Sequence, residues 1–287
     1  MLQYRRPIGS NSLKAFNQKF IMPLGAKRDK ANNLIVRVGK SRVLWSSHTD
    51  SVHNSDGLQK IMIQGDSIKL HKKSPSNCLG ADCATGVWIM REMILAGVAG
   101  LYVFHDSEEI GGVGASHIAN KSPQLLDGID YAIAFDRKGF DSIITHQGAS
   151  RTASDKFAQS IAPMLPDGFA PDSGGVFTDT AIYSGLISEC SNLSVGYLNQ
   201  HTREESQSIS HAMAMRDAMV RFKESKLIAA RDPSQYDYDD YDYWRSFSYG
   251  SDLFNYVESN PDLIGHYLDS IGVGVAEIEH WRKRSYY

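Results

Sequence analysis

Short apolar runs recur along this chain, and the intervals between most of them leave room for a helix. Residues 34–38, 42–46, 101–104, 130–135, 142–146 and 187–195 read as strands. Residues 12–20, 84–95, 112–119, 154–164 and 179–184 read as helices, and a helix of about 25 residues is expected over 204–230. Ile61–Gln64 and Ser67–Leu70 flank Gly65-Asp66 and predict a hairpin. Residues 169–178 hold Pro171, Gly174 and Gly175 and are expected to be a loop. Alternating strands and helices predict an α/β fold: a mainly parallel mixed sheet with helices on both faces.

In sheets of this kind, chemistry gathers beyond the carboxyl ends of the strands. His48, Asp82, Glu108, Glu109, Asp136 and His201 each follow an apolar strand or open a helix. Glu108 and Glu109 are adjacent, and neighbours on extended backbone point opposite ways. One of the pair can bind a metal while the other faces a substrate as a proton carrier. A solvated acidic loop gives the same pattern. In Ser47-His48-Thr49-Asp50, His48 suits a metal ligand whose ring Asp50 fixes, although the same residues also suit a turn. Asp82 precedes an amphipathic helix, either as its N-cap or as a carboxylate bridging two metals.

Of the 287 residues, 42% are hydrophobic and 22% charged, which is ordinary globular composition. The net charge of −3 gives no nucleic-acid signature. No apolar run approaches a membrane span, and the N-terminus lacks the apolar core of a signal peptide. Three cysteines without paired spacing point to a reduced, cytoplasmic setting. Residues 231–287 carry 5 Lys/Arg against 11 Asp/Glu, a net of −6 that leaves +3 for the rest. The expected organisation is a catalytic domain over 1–230, an acidic Asp/Tyr-rich linker over 231–250, and a helical appendage over 251–287. The appendage is expected to hold helices at 262–271 and 275–284. It is expected to pack on its own domain, bind a protein partner or support a homo-oligomer.

Taken in order, Ser47-His48-Thr49-Asp50, Leu79-Gly80-Ala81-Asp82, Ser107-Glu108-Glu109-Ile110-Gly111, Phe135-Asp136 and Ser194-Val195-Gly196-Tyr197-Leu198-Asn199-Gln200-His201-Thr202 resemble the co-catalytic zinc exopeptidases. These are the aminopeptidases, tripeptidases and deacylating amidases that share one α/β catalytic domain. The resemblance spans about residues 33–230. It implies two divalent metal ions, zinc or else cobalt or manganese. Asp82 would bridge both, with His48 and Asp136 completing one site and Glu109 and His201 the other. Glu108 would be the general base, and Asp50 would orient His48. It also implies a cis peptide bond between Asp82 and Cys83. Cys83 stands where relatives often carry Asp, and is either a small buried residue or a thiolate ligand. Only 64 residues separate Asp136 from His201, so the architecture without a dimerising lid fits better. The Asp at 136 leans toward aminopeptidase or tripeptidase.

The function so implied is metal-dependent hydrolysis of a peptide or small amide. The alternatives are an N-acyl amino-acid deacylase, a one-zinc acyl-transfer or cyclising relative, and a non-catalytic binding scaffold. Tyr197 is expected to pack and Arg203 to pair charges at a helix start. His53, His71, His105, His117, His146 and His211 are expected mostly in loops or on the surface.

Overall fold

A computed structural model describes residues 1–148 and 150–235. The part of the expected acidic linker beyond residue 235, and the expected helical appendage, lie outside the described residues.

The central sheet has eight strands. In chain order they include β1 (Lys27–Arg28), β2 (Leu34–Val38) and β3 (Val43–His48). A hairpin outside this sheet supplies β4 (Ile61–Gln64) and β5 (Ser67–Leu70), as the turn residues predict. Then follow β6 (Gly100–His105), β7 (Tyr131–Arg137), β8 (Ser142–Ile144), β9 (Ala170–Asp172) and β10 (Glu189–Ser194). The spatial order is β9-β8-β10-β7-β3-β6-β2-β1. The central pairs β10–β7, β7–β3 and β3–β6 are parallel, while β6–β2 and β2–β1 are antiparallel. The sheet is therefore mixed and mainly parallel at its centre.

Side chains alternate across the strands, as strand geometry requires. Trp45 of β3 and Tyr102 and Phe104 of β6 face one apolar layer; Leu44, Leu101 and Val103 face the other. On the first face lie α1 (Asn11–Phe20), α2 (Ala81–Leu95) and helices later in the chain; on the second lies α3 (Val113–Lys121). Helix α2 buries Val87, Ile89, Met90 and Met93. Gly86 allows its close approach: a Cβ there would lie 2.2 Å from the Phe135 carbonyl oxygen and 2.7 Å from the Ser47 hydroxyl. Among the described residues, no helix is long and apolar enough to cross a membrane.

Two expectations fail. The loop over 169–178 contains β9, which holds Pro171. That strand is at the sheet's edge, where proline is tolerated. The long helix over 204–230 is also absent. Ser206–Ser208 instead forms a strand against β5. Ser208 then caps α6 (Ile209–Met219), its side chain accepting the His211 N–H; α4 (Asp155–Ile161) and α5 (Asp179–Ile182) precede it in the chain. The run Glu204-Glu205-Ser206-Gln207-Ser208 has helical composition at its start, but its backbone bonds to the sheet, and serine favours a cap over a helix interior.

Candidate metal centre

The strand ends bring the sequence-derived residues together. His48 is the last residue of β3 and pairs in register with His105 at the end of β6. Glu108 and Glu109 follow β6 after Ser107, a non-glycine residue with φ of 63°. Asp136 lies near the end of β7. Asp82 stands in the first turn of α2 with non-helical angles, so the regular helix begins at Ala84. The Asp82–Cys83 peptide bond is cis. His201 arrives on the loop after β10, with φ of 64°; positive φ is uncommon outside glycine.

Asp82 is central. Its Oδ1 lies 2.8 Å from His48 Nε2, and its Oδ2 lies 3.2 Å from His201 Nε2. His48 Nε2 is also 3.3 Å from Asp136 Oδ1, and His201 Nε2 is 3.1 Å from Glu109 Oε2. Two donor groups thus flank one carboxylate. Asp50 Oδ1 is 3.6 Å from His48 Nδ1, beyond hydrogen-bonding distance, while its carboxylate accepts the backbone N–H groups of Glu108 and Glu109. Asp50 therefore ties down the glutamate turn and places a carboxylate beside the His48 ring.

The electrostatics show how much negative charge is packed here. Burial opposes a charged His48, yet Asp136, Asp50 and Asp82 hold its pKa well above the ordinary value. Hydrogen bonds to Asp82 and Glu109 raise His201 to about 10. Burial, reinforced by Asp82, raises Asp136 to about 6. Burial, with Asp136, Asp179 and Asp82 nearby, raises Glu108 to about 10. Such crowding of carboxylates and imidazoles is what divalent cations relieve. Two buried atoms, His48 Nδ1 and Glu109 Oε1, lack a hydrogen-bond partner among the described residues. The donor set of imidazole nitrogen and carboxylate oxygen suits zinc. His48, Asp82 and Glu109 place ligand atoms within 4.8 Å of one another, as do His48, Cys83 and Asp136. The buried Cys83 thiol donates to the Phe135 carbonyl at 2.8 Å, and burial pushes its pKa well up.

Several residues that hold this centre gave no signal in the sequence. Glu205 accepts four backbone N–H groups, from Leu79, Gly80, Ala81 and Asp82, at 2.8–3.1 Å. Arg6 is fully buried and donates to the carbonyls of Thr49 and Gly80. Thr178 donates to Asp136 Oδ2 at 2.7 Å, and Asn192 brackets the Asp136 backbone through both its amide atoms. Tyr197 is buried and also donates to the Asp136 carbonyl, so beyond packing it holds the Asp136 backbone. Among the described residues Arg203 pairs with no helix-start charge; it donates to the carbonyls of Ser76 and Lys72. His53 and His105 are buried rather than superficial. His105 lies 2.8 Å from the Tyr183 hydroxyl through Nε2 and 3.2 Å from Asp179 through Nδ1.

No family model and no curated protein matches the chain. Solved structures do. Aminopeptidase PepT from Bacillus cereus matches with a TM-score of 0.61 at 15% identity, over 76% of this chain and 94% of that one. A tripeptidase from Staphylococcus aureus matches with a TM-score of 0.61 at 15% identity, over 78% and 95%. The TET1 peptidase of Pyrococcus horikoshii, which can assemble into a tetrahedron or a large octahedral shell, matches with a TM-score of 0.55 at 15% identity, over 75% and 94%. At this identity the likeness establishes architecture: the chain has the α/β fold of these aminopeptidase and tripeptidase structures.

Proposed function

We propose that the protein is a metal-dependent exopeptidase, most readily an aminopeptidase or tripeptidase, acting on short peptides or small amides. The observation that carries this reading is the bridging position of Asp82, one oxygen beside His48 and the other beside His201, with Glu108 on the same cavity. His48, Asp136 and Asp82 would hold one divalent ion, and Glu109, His201 and Asp82 the other. When bound, the pair supplies Lewis acidity, polarising the scissile carbonyl and acidifying water. Glu108 takes the proton of the attacking water and returns it to the leaving amine. Its burial favours the neutral form, and positive charge brought beside Asp82 and Asp136 lowers its pKa toward a working range. Asp50, 3.6 Å from His48 Nδ1, would steady the ring and leave Nε2 free to hold an ion.

The peptidase reading is put first because the solved structures sharing the fold include aminopeptidases and a tripeptidase; the assay below decides between it and a deacylase. Homo-oligomerisation belongs to the same reading and is checked by light scattering. The decisive assay incubates the protein, with zinc, cobalt or manganese, against a library of free, N-acylated and C-terminally amidated peptides. Turnover abolished by a chelator and restored by metal is the expected result. Equal turnover in chelator refutes the proposal.

A further inference from the structure

Resting on the hydrolase reading, we infer that Arg137 recognises an anionic group of the substrate, so that this site selects short substrates bearing a carboxylate close to the scissile bond. A cavity of about 220 Å³ is lined by the proposed ligands Asp82, Glu109, Asp136 and His201 and also by Arg137 and Lys138. It is smaller than the roughly 300–1,000 Å³ of pockets for drug-sized ligands. Apart from the proposed ligands and Glu108, its lining residues carry no carboxylate.

Arg137 reaches this cavity because β7 is irregular. Ala134 pairs with Asn192 and Arg137 with Ser194, so β7 carries one more residue than β10 between those pairs. A bulge of this kind re-aims the side chain that follows it. Arg137 consequently leaves the strand on the face of Ala134, next in sequence to Asp136.

The guanidinium is also under-used. Its Nε–H is buried without a partner among the described residues. Its ion pair with Asp172 is single-ended and long, Nη2 to Oδ2 at 3.4 Å, and Asp172 is already committed to the Gly174 N–H at 2.7 Å. A guanidinium presents a planar fork of donors that a carboxylate fills with two parallel hydrogen bonds. A buried donor left unpaired is costly, so an incoming carboxylate is favoured over a neutral group. The exposed Lys138 adds a second positive charge at the rim. The carboxylate is supplied either by an acidic N-terminal side chain or by the C-terminus of a dipeptide.

Two matched pairs separate these sources on the zinc-loaded protein. Alanyl-alanine against its amide reads the C-terminus. Glutamyl-alanine amide against glutaminyl-alanine amide reads the side chain. One pair is expected to show a preference of about tenfold or more for the carboxylate member, expressed in KM. Arg137→Gln is expected to bring that ratio close to one, Arg137→Lys to keep part of it, and Asp172→Asn to preserve it. Ratios near one in both pairs, or a preference that survives Arg137→Gln, overturn the proposal. Calorimetric binding of the same four compounds to zinc-loaded Glu108→Gln protein reads the subsite without turnover. Discrimination there without any hydrolysis by the wild type sinks the hydrolase reading and sustains the subsite. Hydrolysis without discrimination does the reverse.

Discussion

Glu205 Oε1 accepts the backbone N–H of Asp82 at 3.1 Å, and the same carboxylate accepts the N–H groups of the three residues before it. A side chain far along the sequence thereby fixes the turn that presents Asp82 between His48 and His201. Burial raises the Glu205 pKa to about 7, while the four donors favour the ionised form. Glu205→Gln is expected to destabilise the metal-free protein by about 3 kcal/mol, because an amide cannot accept from four N–H groups. Urea unfolding measures this. Zinc affinity is expected to fall about 10–100-fold alongside. An unchanged midpoint and affinity would remove Glu205 from the account.

Glu108 lines the cavity without a role in the ligand pairs. Glu108→Gln is expected to keep metal content and lower kcat by about 10²–10⁴-fold. Metal analysis together with initial rates checks both halves. Retained turnover contradicts the assignment of Glu108 as proton carrier.

Asp50 touches both the His48 side of the site and the Glu108–Glu109 backbone. Asp50→Asn is expected to weaken zinc binding by about 10–100-fold, since the ring loses its orienting charge. A competition titration against a chromogenic chelator reads this, and equal affinity refutes it.

His53 supplies a pH signature independent of the metal. Its Nδ1 accepts the Arg6 backbone N–H, its Nε2 faces Gln59 Oε1, and burial with the nearby Arg6 charge lowers its pKa to about 3. The folded pKa is below the unfolded value of about 6.5, so the unfolded state binds the extra proton between those values. Its stabilising effect is complete above about pH 6.5 and is lost as pH falls toward 3. The stability gap between wild type and His53→Asn is expected to shrink by about 1.4 kcal/mol per pH unit between pH 6 and 4. Parallel stability profiles would rule this out.

The sheet was legible because its signals are local. Apolar runs, the Gly65-Asp66 turn and the serine that opens the helix at 154 are encoded within a few residues of where they act. His48, Glu108, Glu109 and Asp136 stood out as candidates because they close or follow buried strands, and Asp82 because it opens a helix. Glu205 and Arg6 were not, because their partners lie more than 40 positions away, and nothing near Glu205 distinguishes a buried anion from a helix start. The misread helix over 204–230 has the same origin: pairing of Ser206 with Lys69 overrides local propensity. The burial of His53 and His105 was not legible, because a neutral histidine leaves no periodic pattern in the chain whether it is buried or exposed.

Anomalous X-ray diffraction at the zinc edge from zinc-soaked crystals tests the central claim most directly. Two peaks about 3.5–4 Å apart are expected on either side of the Asp82 carboxylate, one beside His48 and Asp136, the other beside His201 and Glu109. No peak at Asp82, or ions held by other residues, would contradict a dinuclear centre here.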